Sequence, residues 1–298
     1  MKLHISHTTQ YTYKDAVADS VNEVRLTPFT NEQQSCYQHA ISVEPNAPLF
    51  SYDDYFGNRV HAFSVNRQHR KLTIRSTMTV VTREAFKPQL GKDGLPPKDA
   101  WQWLAGEKAA NRFAEFLLPT AYTDVTPEVA AFADATIRRQ PDSGDGAERL
   151  GVYSWLLALS NKIRSEFVYD PDATNVHTIA GDMLRRRRGV CQDFAHLMIA
   201  ACRSKGVPAR YVSGYHFVGD LQGGSADFEQ ASHAWVEAYV PGLGWCGFDP
   251  TNDALVGERY VKLGHGRDYK DIVPVKGVYM GTSEAVLEVT VDVKRADE

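Results

Sequence analysis

Apolar and polar positions alternate at the two ends of the chain. At the N terminus the side chains of one parity are Leu3, Ile5, His7, Thr9, Tyr11 and Tyr13. A period of two residues is typical of a β-strand. The β-rich runs HAISVEP, NRVHAFSVN and KLTIRSTMTVVTRE follow, separated by turn residues. Residues 1 to about 85 are therefore predicted to form a small all-β sandwich or barrel, and the tail EAVLEVTVDV predicts a last strand.

The middle of the chain changes to helical spacing. The segment 84–98 contains three prolines and two glycines, which mark a boundary loop or linker. Thr126, Pro127 and Glu128 have the order of an N-cap, a first-turn proline and a first-turn acid. Apolar residues recur at close to helical spacing over 150–163. These signals predict a group of helices after the β-rich region.

A further helix is predicted to begin beside Cys191. Phe194, Met198 and Cys202 fall on one face of it, and the glycine and proline in KGVP end it. The segments ARYVSGYHFV, ASHAWVEAYV and GLGWCGFDPTND then predict three strands.

Together these patterns predict an α+β protein in three parts. An N-terminal β-sandwich-like domain is expected over residues 1–90. Helical segments and a mixed core are expected over 91–265. A C-terminal segment with a final strand is expected over 266–298.

Composition narrows the classes of function. The chain has 298 residues, 43% of them hydrophobic, and a net charge of -4. This charge balance gives no reason to expect nucleic acid or a membrane surface as a partner. No apolar run is long enough to cross a bilayer, and MKLHISHTTQYTYK lacks the apolar segment of a secretory signal. A cytoplasmic location is therefore expected.

The four cysteines are scattered, without a C-x-x-C pair. They are Cys36, Cys191, Cys202 and Cys246. This spacing favours neither a disulfide framework nor a cysteine-rich zinc site, and no metal or other cofactor is expected. Cys191 differs from the others because it follows four arginines and a glycine at the predicted start of a helix. Helix N-termini and cationic neighbours favour a thiolate, whereas Cys202 lies in the apolar stripe and is expected to be a core residue.

A nucleophilic thiol needs a base, and His233 is the candidate. In SHAWVEAYV the histidine shares a strand face with Trp235, away from the small aliphatic residues. Asp249, on the next strand, could orient it. A four-residue loop would set Val236 opposite Asp249 and put the carboxylate on the wrong face. A five-residue loop, or a bulge at a glycine, would set Trp235 opposite Asp249, and we predict this second register.

At these segments the chain resembles the transglutaminase-like superfamily. The motifs are GVCQDFAHLMIAACRSKGVPARYVSGY, HAWVEAYVPGLGW and FDPTND. The N-terminal H-x-T-x-Y-x-Y run, with YDDYFGN, resembles the β-domain of a bacterial subgroup, and GRDYKDIVPVKGVY resembles the subgroup's C-terminal segment. The resemblance implies a papain-like transglutaminase core after a small all-β domain. It also implies a catalytic triad of Cys191, His233 and Asp249.

Three further residues are expected to contact substrate: Gln192, Tyr215 and Trp235. Gln192 stands where animal cross-linking transglutaminases carry an aromatic residue, and no calcium-loop signature is present. Both points disfavour a calcium-switched cross-linker.

The leading hypothesis is a cysteine-dependent amide or peptide hydrolase that works through a thioester acyl-enzyme. Acyl transfer from protein glutamine to amines uses the same residues and stays open. A non-catalytic binding module on the same fold is a third hypothesis, and a metal site at Cys191 and His233 is a fourth. The first two imply a peptide or protein substrate. The sequence leaves the oligomeric state open.

Overall fold

The computed structural model describes residues 1–84, 95–137, 150–173, 177–219, 232–252, 254–281 and 284–296. Most of the expected linker at 84–98, including the expected boundary at residue 90, lies outside these residues. In chain order the strands are β1 (Lys2–Val24), β2 (Gln34–Glu44), β3 (Phe50–Asp53), β4 (Arg59–Val65), β5 (His69–Thr82), β6 (Val168–Tyr169), β7 (Arg188–Gly189), β8 (Ala209–His216), β9 (His233–Val240), β10 (Gly244–Asp249), β11 (Ala254–Leu255), β12 (Tyr260–Gly266), β13 (Val275–Met280) and β14 (Ala285–Arg295). The helices are α1 (Pro97–Leu104), α2 (Glu107–Arg112), α3 (Ala114–Leu117), α4 (Pro127–Ile137), α5 (Val152–Glu166), α6 (Ala180–Arg186) and α7 (Cys191–Ser204), with a 3-10 turn at Tyr269–Ile272.

The predicted α+β architecture is confirmed: an all-β region precedes a mixed α/β core. Strand β1 is long enough to pair with two different sets of antiparallel strands. Along its first half it lies between β5 and β14, and along its second half between β4 and β13. The last two strands of the chain therefore complete the sheet that the first strand begins.

The core contains a five-stranded antiparallel sheet in the order β11-β10-β9-β8-β12. Helix α7 packs on one face of this sheet, against the buried side chains of Ala234, Val236 and Ala238 on β9. The alternation in HAWVEAYV thus has the cause that the sequence suggested, since the small aliphatic parity faces the helix. Helix α4 begins as expected, with the Val129 N–H donating to Thr126 Oγ1 at 3.3 Å.

The β9–β10 hairpin has the predicted register. Phe248 pairs with Val236, so the next position sets Asp249 opposite Trp235. The loop is shorter than the five-residue version considered, because Val240 pairs directly with Gly244. Gly244 has φ +86°, a left-handed conformation that glycine adopts without strain. Within the loop Gly242 has φ +89°, and a proline followed by such a glycine is typical of a type II turn.

Two side-chain amides join the N-terminal region to β12, the edge strand of the core sheet. The Lys262 N–H donates to Gln34 Oε1 at 2.8 Å, and Gln34 Nε2 donates to the Lys262 carbonyl at 2.9 Å. Asn58 repeats the pattern on His265, with distances of 2.8 and 2.9 Å. Each side-chain amide makes the pair of hydrogen bonds that a residue of a neighbouring strand would make. The backbone N–H and carbonyl groups of Lys262 and His265, which an open edge would leave unpaired, are therefore satisfied. We call this pair of contacts the amide clasp.

The amide clasp is expected to stabilise the fold measurably. Gln34→Leu removes a buried acceptor and leaves the Lys262 N–H without it, so the free energy of unfolding in urea should fall by about 1–3 kcal/mol. Gln33→Leu is the matched control, because Gln33 is exposed and, among the described residues, its hydrogen bonds are made by its backbone. Equal losses in both variants would contradict a specific role of the clasp.

Candidate active site

Cys191 is the first residue of α7. The turn before it is fixed by Asp193, whose Oδ2 accepts the Val190 N–H at 2.9 Å, so the helix start is held by its own third residue. Gly189 is required in this turn, because a Cβ there would lie 2.7 Å from Asp193 Oδ2. Cys191 is partly exposed, and it therefore presents its thiol at the positive end of the helix dipole.

His233 and Asp249 lie on neighbouring strands and are hydrogen-bonded. His233 Nε2 is 2.8 Å from Asp249 Oδ2, which leaves Nδ1 as the ring nitrogen available to Cys191. Burial opposes the charged imidazole. The charge of Asp249, its hydrogen bond and a hydrogen bond with Cys191 outweigh burial and raise the pKa of His233 to about 10. The ring is therefore protonated at neutral pH, and Nε2–H donates to the carboxylate.

The Asp249 carboxylate is fully buried, with 0% exposure. Its Oδ2 accepts from His233, from Tyr260 Oη at 2.7 Å and from Asn252 Nδ2 at 2.8 Å. Its Oδ1 accepts the backbone N–H groups of Thr251 and Asn252 at 2.9 and 3.3 Å. Burial alone would raise the pKa of Asp249, but the His233 charge and these donors hold it well below its usual range. The carboxylate is therefore ionised.

The three residues expected to contact substrate occupy different surroundings. Gln192 is buried in the first turn of α7, next to Cys191. Trp235 is 1% exposed; its ring centroid lies 6.2 Å from that of His233 and 5.4 Å from that of Tyr260. The structure thus places Gln192 beside Cys191 at the helix start, and Trp235 beside His233.

Tyr215 is not brought to this group. Its side chain is 1% exposed within the apolar cluster of the N-terminal sheets, and its hydroxyl lies 2.8 Å from His7 Nδ1. The expectation of a cleft position rested on its place in the motif. Its surroundings are instead fixed by strands at the other end of the chain, and they give it a packing role.

The arginines of the run and the cysteines Cys202 and Cys246 have surroundings typical of residues with a structural role. Within the run, Arg185, Arg187 and Arg188 form surface ion pairs with acidic neighbours, which agrees with the solvated surface expected for a charge run. Cys202 is fully buried in the α7 core, and burial raises its thiol pKa well above the usual value. Burial likewise raises the pKa of Cys246 to about 12.

Three neighbours of the pair were not identified from the sequence: His216, Asn252 and Tyr260. Asn252 lies inside the FDPTND motif, so a systematic look at polar residues near Asp249 could have found it. Tyr260 and His216 are brought in by the β8–β12 pairing, where they stand opposite each other. Neither position carries a local signal in the sequence.

Among the residues that the structure describes, one group of side chains has metal-ligand chemistry. Ligand atoms of His216, His233 and Asp249 lie within 4.8 Å of one another. Two imidazoles and a carboxylate are a donor set that zinc accepts. In this structure the Asn252 amide nitrogen lies close to all three residues and donates to Asp249, and the protonated His233 ring has no free lone pair for a metal.

The fold and this arrangement define a transglutaminase-like core behind an all-β N-terminal region, and family comparisons agree. Residues 3–81 match the bacterial transglutaminase-like N-terminal region, and residues 147–250 match the transglutaminase-like superfamily. The chain belongs to the transglutaminase-like superfamily, whose members are typically enzymes. Within the described part of the chain, no helix has the length and apolarity needed to cross a membrane.

Several relatives match this chain over nearly its whole length. An uncharacterized protein of Mycobacterium leprae is 37% identical over 295 residues, covering 99% of both chains. An uncharacterized protein of Mycobacterium tuberculosis is 34% identical over 304 residues, 98% of this chain and 92% of the relative. A candidate cysteine protease from Cytophaga hutchinsonii has the same fold, with a TM-score of 0.71 at 24% identity over 100% of this chain and 92% of that one.

A shorter match carries a named activity. A protein-glutamine gamma-glutamyltransferase of Pseudomonas aeruginosa is 32% identical over 113 residues, which is 35% of this chain and 16% of that protein.

The raised pKa of His233 predicts a pH-dependent contribution to stability. A charge stabilised in the folded state contributes fully below the unfolded pKa near 6.5, and the contribution is lost as pH rises through about 10. The difference in unfolding free energy between the wild type and His233→Gln should therefore shrink from pH 6.5 to 10.

The matched control for this comparison is His61→Gln, because burial lowers the pKa of His61. Its difference from the wild type should not shrink over the same range. A constant difference for His233→Gln, measured by urea unfolding, would show that the Asp249 pairing does not raise this pKa.

Proposed function

We propose that the protein is a cysteine-dependent hydrolase of amide or peptide bonds, with Cys191 as nucleophile, His233 as acid and base, and Asp249 as the residue that orients His233. The observation that carries the proposal is the hydrogen-bonded series from Cys191 through His233 to a fully buried, ionised Asp249. A protonated imidazole and a helix N-terminus both stabilise a thiolate beside them.

The proposed reaction has two halves. The Cys191 sulfur attacks the carbonyl carbon of the amide, an S–C bond forms, and the C–N bond breaks while His233 gives its proton to the leaving amine. Water then attacks the thioester, with neutral His233 taking its proton. The S–C bond breaks, releasing a carboxylic acid and restoring the thiolate and the imidazolium.

The start of α7 also favours stabilisation of the oxyanion in this reaction. The Cys191 backbone N–H belongs to the first turn, where N–H groups lack partners within the helix. Removing one such donor in other enzymes costs about 2.7–4 kcal/mol of transition-state stabilisation. Gln192 and Trp235 are proposed to line the acyl site, since they adjoin Cys191 and His233 respectively.

Acyl transfer is the second candidate, and the Pseudomonas aeruginosa match favours it. In that case an amine replaces water in the second half, and a new C–N bond forms. A peptide or protein substrate is proposed in both cases. Cytoplasmic action is proposed because all four cysteines are unpaired thiols.

The hydrolase proposal predicts a selectively reactive thiol. At pH 6, iodoacetamide should alkylate Cys191 at least tenfold faster than Cys36, because Cys191 lies beside an imidazolium, whereas burial raises the pKa of the Cys36 thiol. Peptide mapping by mass spectrometry measures both rates in one sample. Cys191→Ala should abolish cleavage of casein, and Cys36→Ala should leave it unchanged.

The same reactions separate the alternatives. A fluorescent primary amine is added to the casein assay with wild-type protein. Cleavage without incorporation supports hydrolysis, whereas incorporation without cleavage replaces it by acyl transfer. Equal alkylation of the two cysteines, with neither reaction observed, would leave the binding-module hypothesis.

A further inference from the structure

The side chain of Asn252 reaches the site through its amide nitrogen. Its Nδ2 lies 2.8 Å from Asp249 Oδ2, 3.3 Å from His233 Nε2 and 3.5 Å from His216 Nδ1. The residue follows β10 by three positions, in the turn whose backbone N–H groups already bind Asp249. One amide nitrogen thus lies against two members of the proposed triad and a second histidine.

The two amide protons can be assigned from the chemistry of the neighbours. One goes to Asp249 Oδ2, the shortest contact. His233 Nε2 is itself a donor to Asp249, so it has no lone pair for the amide. The second proton therefore faces His216 Nδ1, which accepts only in a neutral ring with its proton on Nε2.

His216 is suited to be that acceptor. Its ring is stacked on Tyr260, with centroids 4.3 Å apart and planes 16° apart, and this contact fixes its orientation. Burial and the neighbouring charge of His233 lower the pKa of His216 to about 4, so the ring is neutral at pH 7. Tyr260 in turn donates to Asp249. The contacts therefore form a ring that runs from Asn252 to His216, Tyr260, Asp249 and back to Asn252.

We propose that Asn252 is a positioning residue for the thiol chemistry: its amide, oriented by His216, holds the Asp249 carboxylate against His233 and covers the pair from water. Asp249 has no exposed surface, whereas Asn252 is exposed, so the amide forms the outer layer. This role rests on the proposed function, since Asn252 acts only through Asp249 and His233.

Three substitutions separate the donor role from packing. Asn252→Asp keeps the shape but replaces the amide donors by an anion facing Asp249. Asn252→Ala removes the cover altogether. His216→Phe preserves a ring on Tyr260 and removes the Nδ1 acceptor. Asn66→Ala is the matched control, because Asn66 is an exposed asparagine between β4 and β5.

The first measurement is the rate of Cys191 alkylation by iodoacetamide at pH 7.5, which requires no substrate. Asn252→Ala should lower the rate about tenfold and Asn252→Asp at least as much, the scale of one lost hydrogen bond to a charged group. His216→Phe should lower it about threefold. With an active substrate, kcat should fall by the same factors while KM stays unchanged.

The second measurement is the downfield proton NMR signal of His233 Nε2–H, assigned with His233→Gln. It should be present in the wild type and in Asn66→Ala, and lost or shifted in Asn252→Asp. A wild-type alkylation rate and an unchanged signal in Asn252→Asp, with an unaltered melting temperature, would overturn the proposal. If wild-type Cys191 reacts like an ordinary thiol, the proposed function fails, and the NMR signal alone decides the role of Asn252.

Discussion

The burial of one ionised carboxylate is the constraint on which the site depends. A charge without solvent is costly unless it is paired and hydrogen-bonded. Asp249 meets this requirement with five donors, one of them a charged imidazole. The donors come from β9, from β12 and from the turn after β10, so these elements must meet in one arrangement. Satisfying the carboxylate therefore also fixes where the imidazole of His233 points.

That arrangement is supported from outside the core sheet. Strand β12 supplies Tyr260, and its outer edge is held by Gln34 and Asn58 from the N-terminal region. The N-terminal sheets also share an apolar cluster with Tyr215 and Val261 of the core sheet. The all-β region is thus part of the framework of the site, because it fixes the strand from which one donor to Asp249 projects.

Local sequence rules were sufficient to predict much of the fold and of the candidate site. The start of α7 at Cys191 follows from capping and periodicity, and the face shared by His233 and Asp249 follows from strand parity and glycine turn chemistry. The α+β order follows from the change of apolar period along the chain. These features depend on residues close together in sequence, where the physical causes can be read directly.

Long-range packing accounts for what the sequence did not show. Tyr215 has a residue pattern suited to a cleft, but His7 and the N-terminal sheets surround it. The contact of Tyr260 with Asp249 depends on the pairing of β12 with β8, with a register shift after Lys262.

The pairing of β1 with β14 has a consequence for biosynthesis. Leu3 pairs with Arg295, and the register continues to Tyr13 and Ala285, so one edge of the first strand has no β14 partner until residues 285–295 have been synthesised. A nascent chain would carry that open β-edge until β14 is made, in the state most exposed to wrong strand partners. Completion of the N-terminal sheet therefore requires that the transglutaminase-like core be synthesised first.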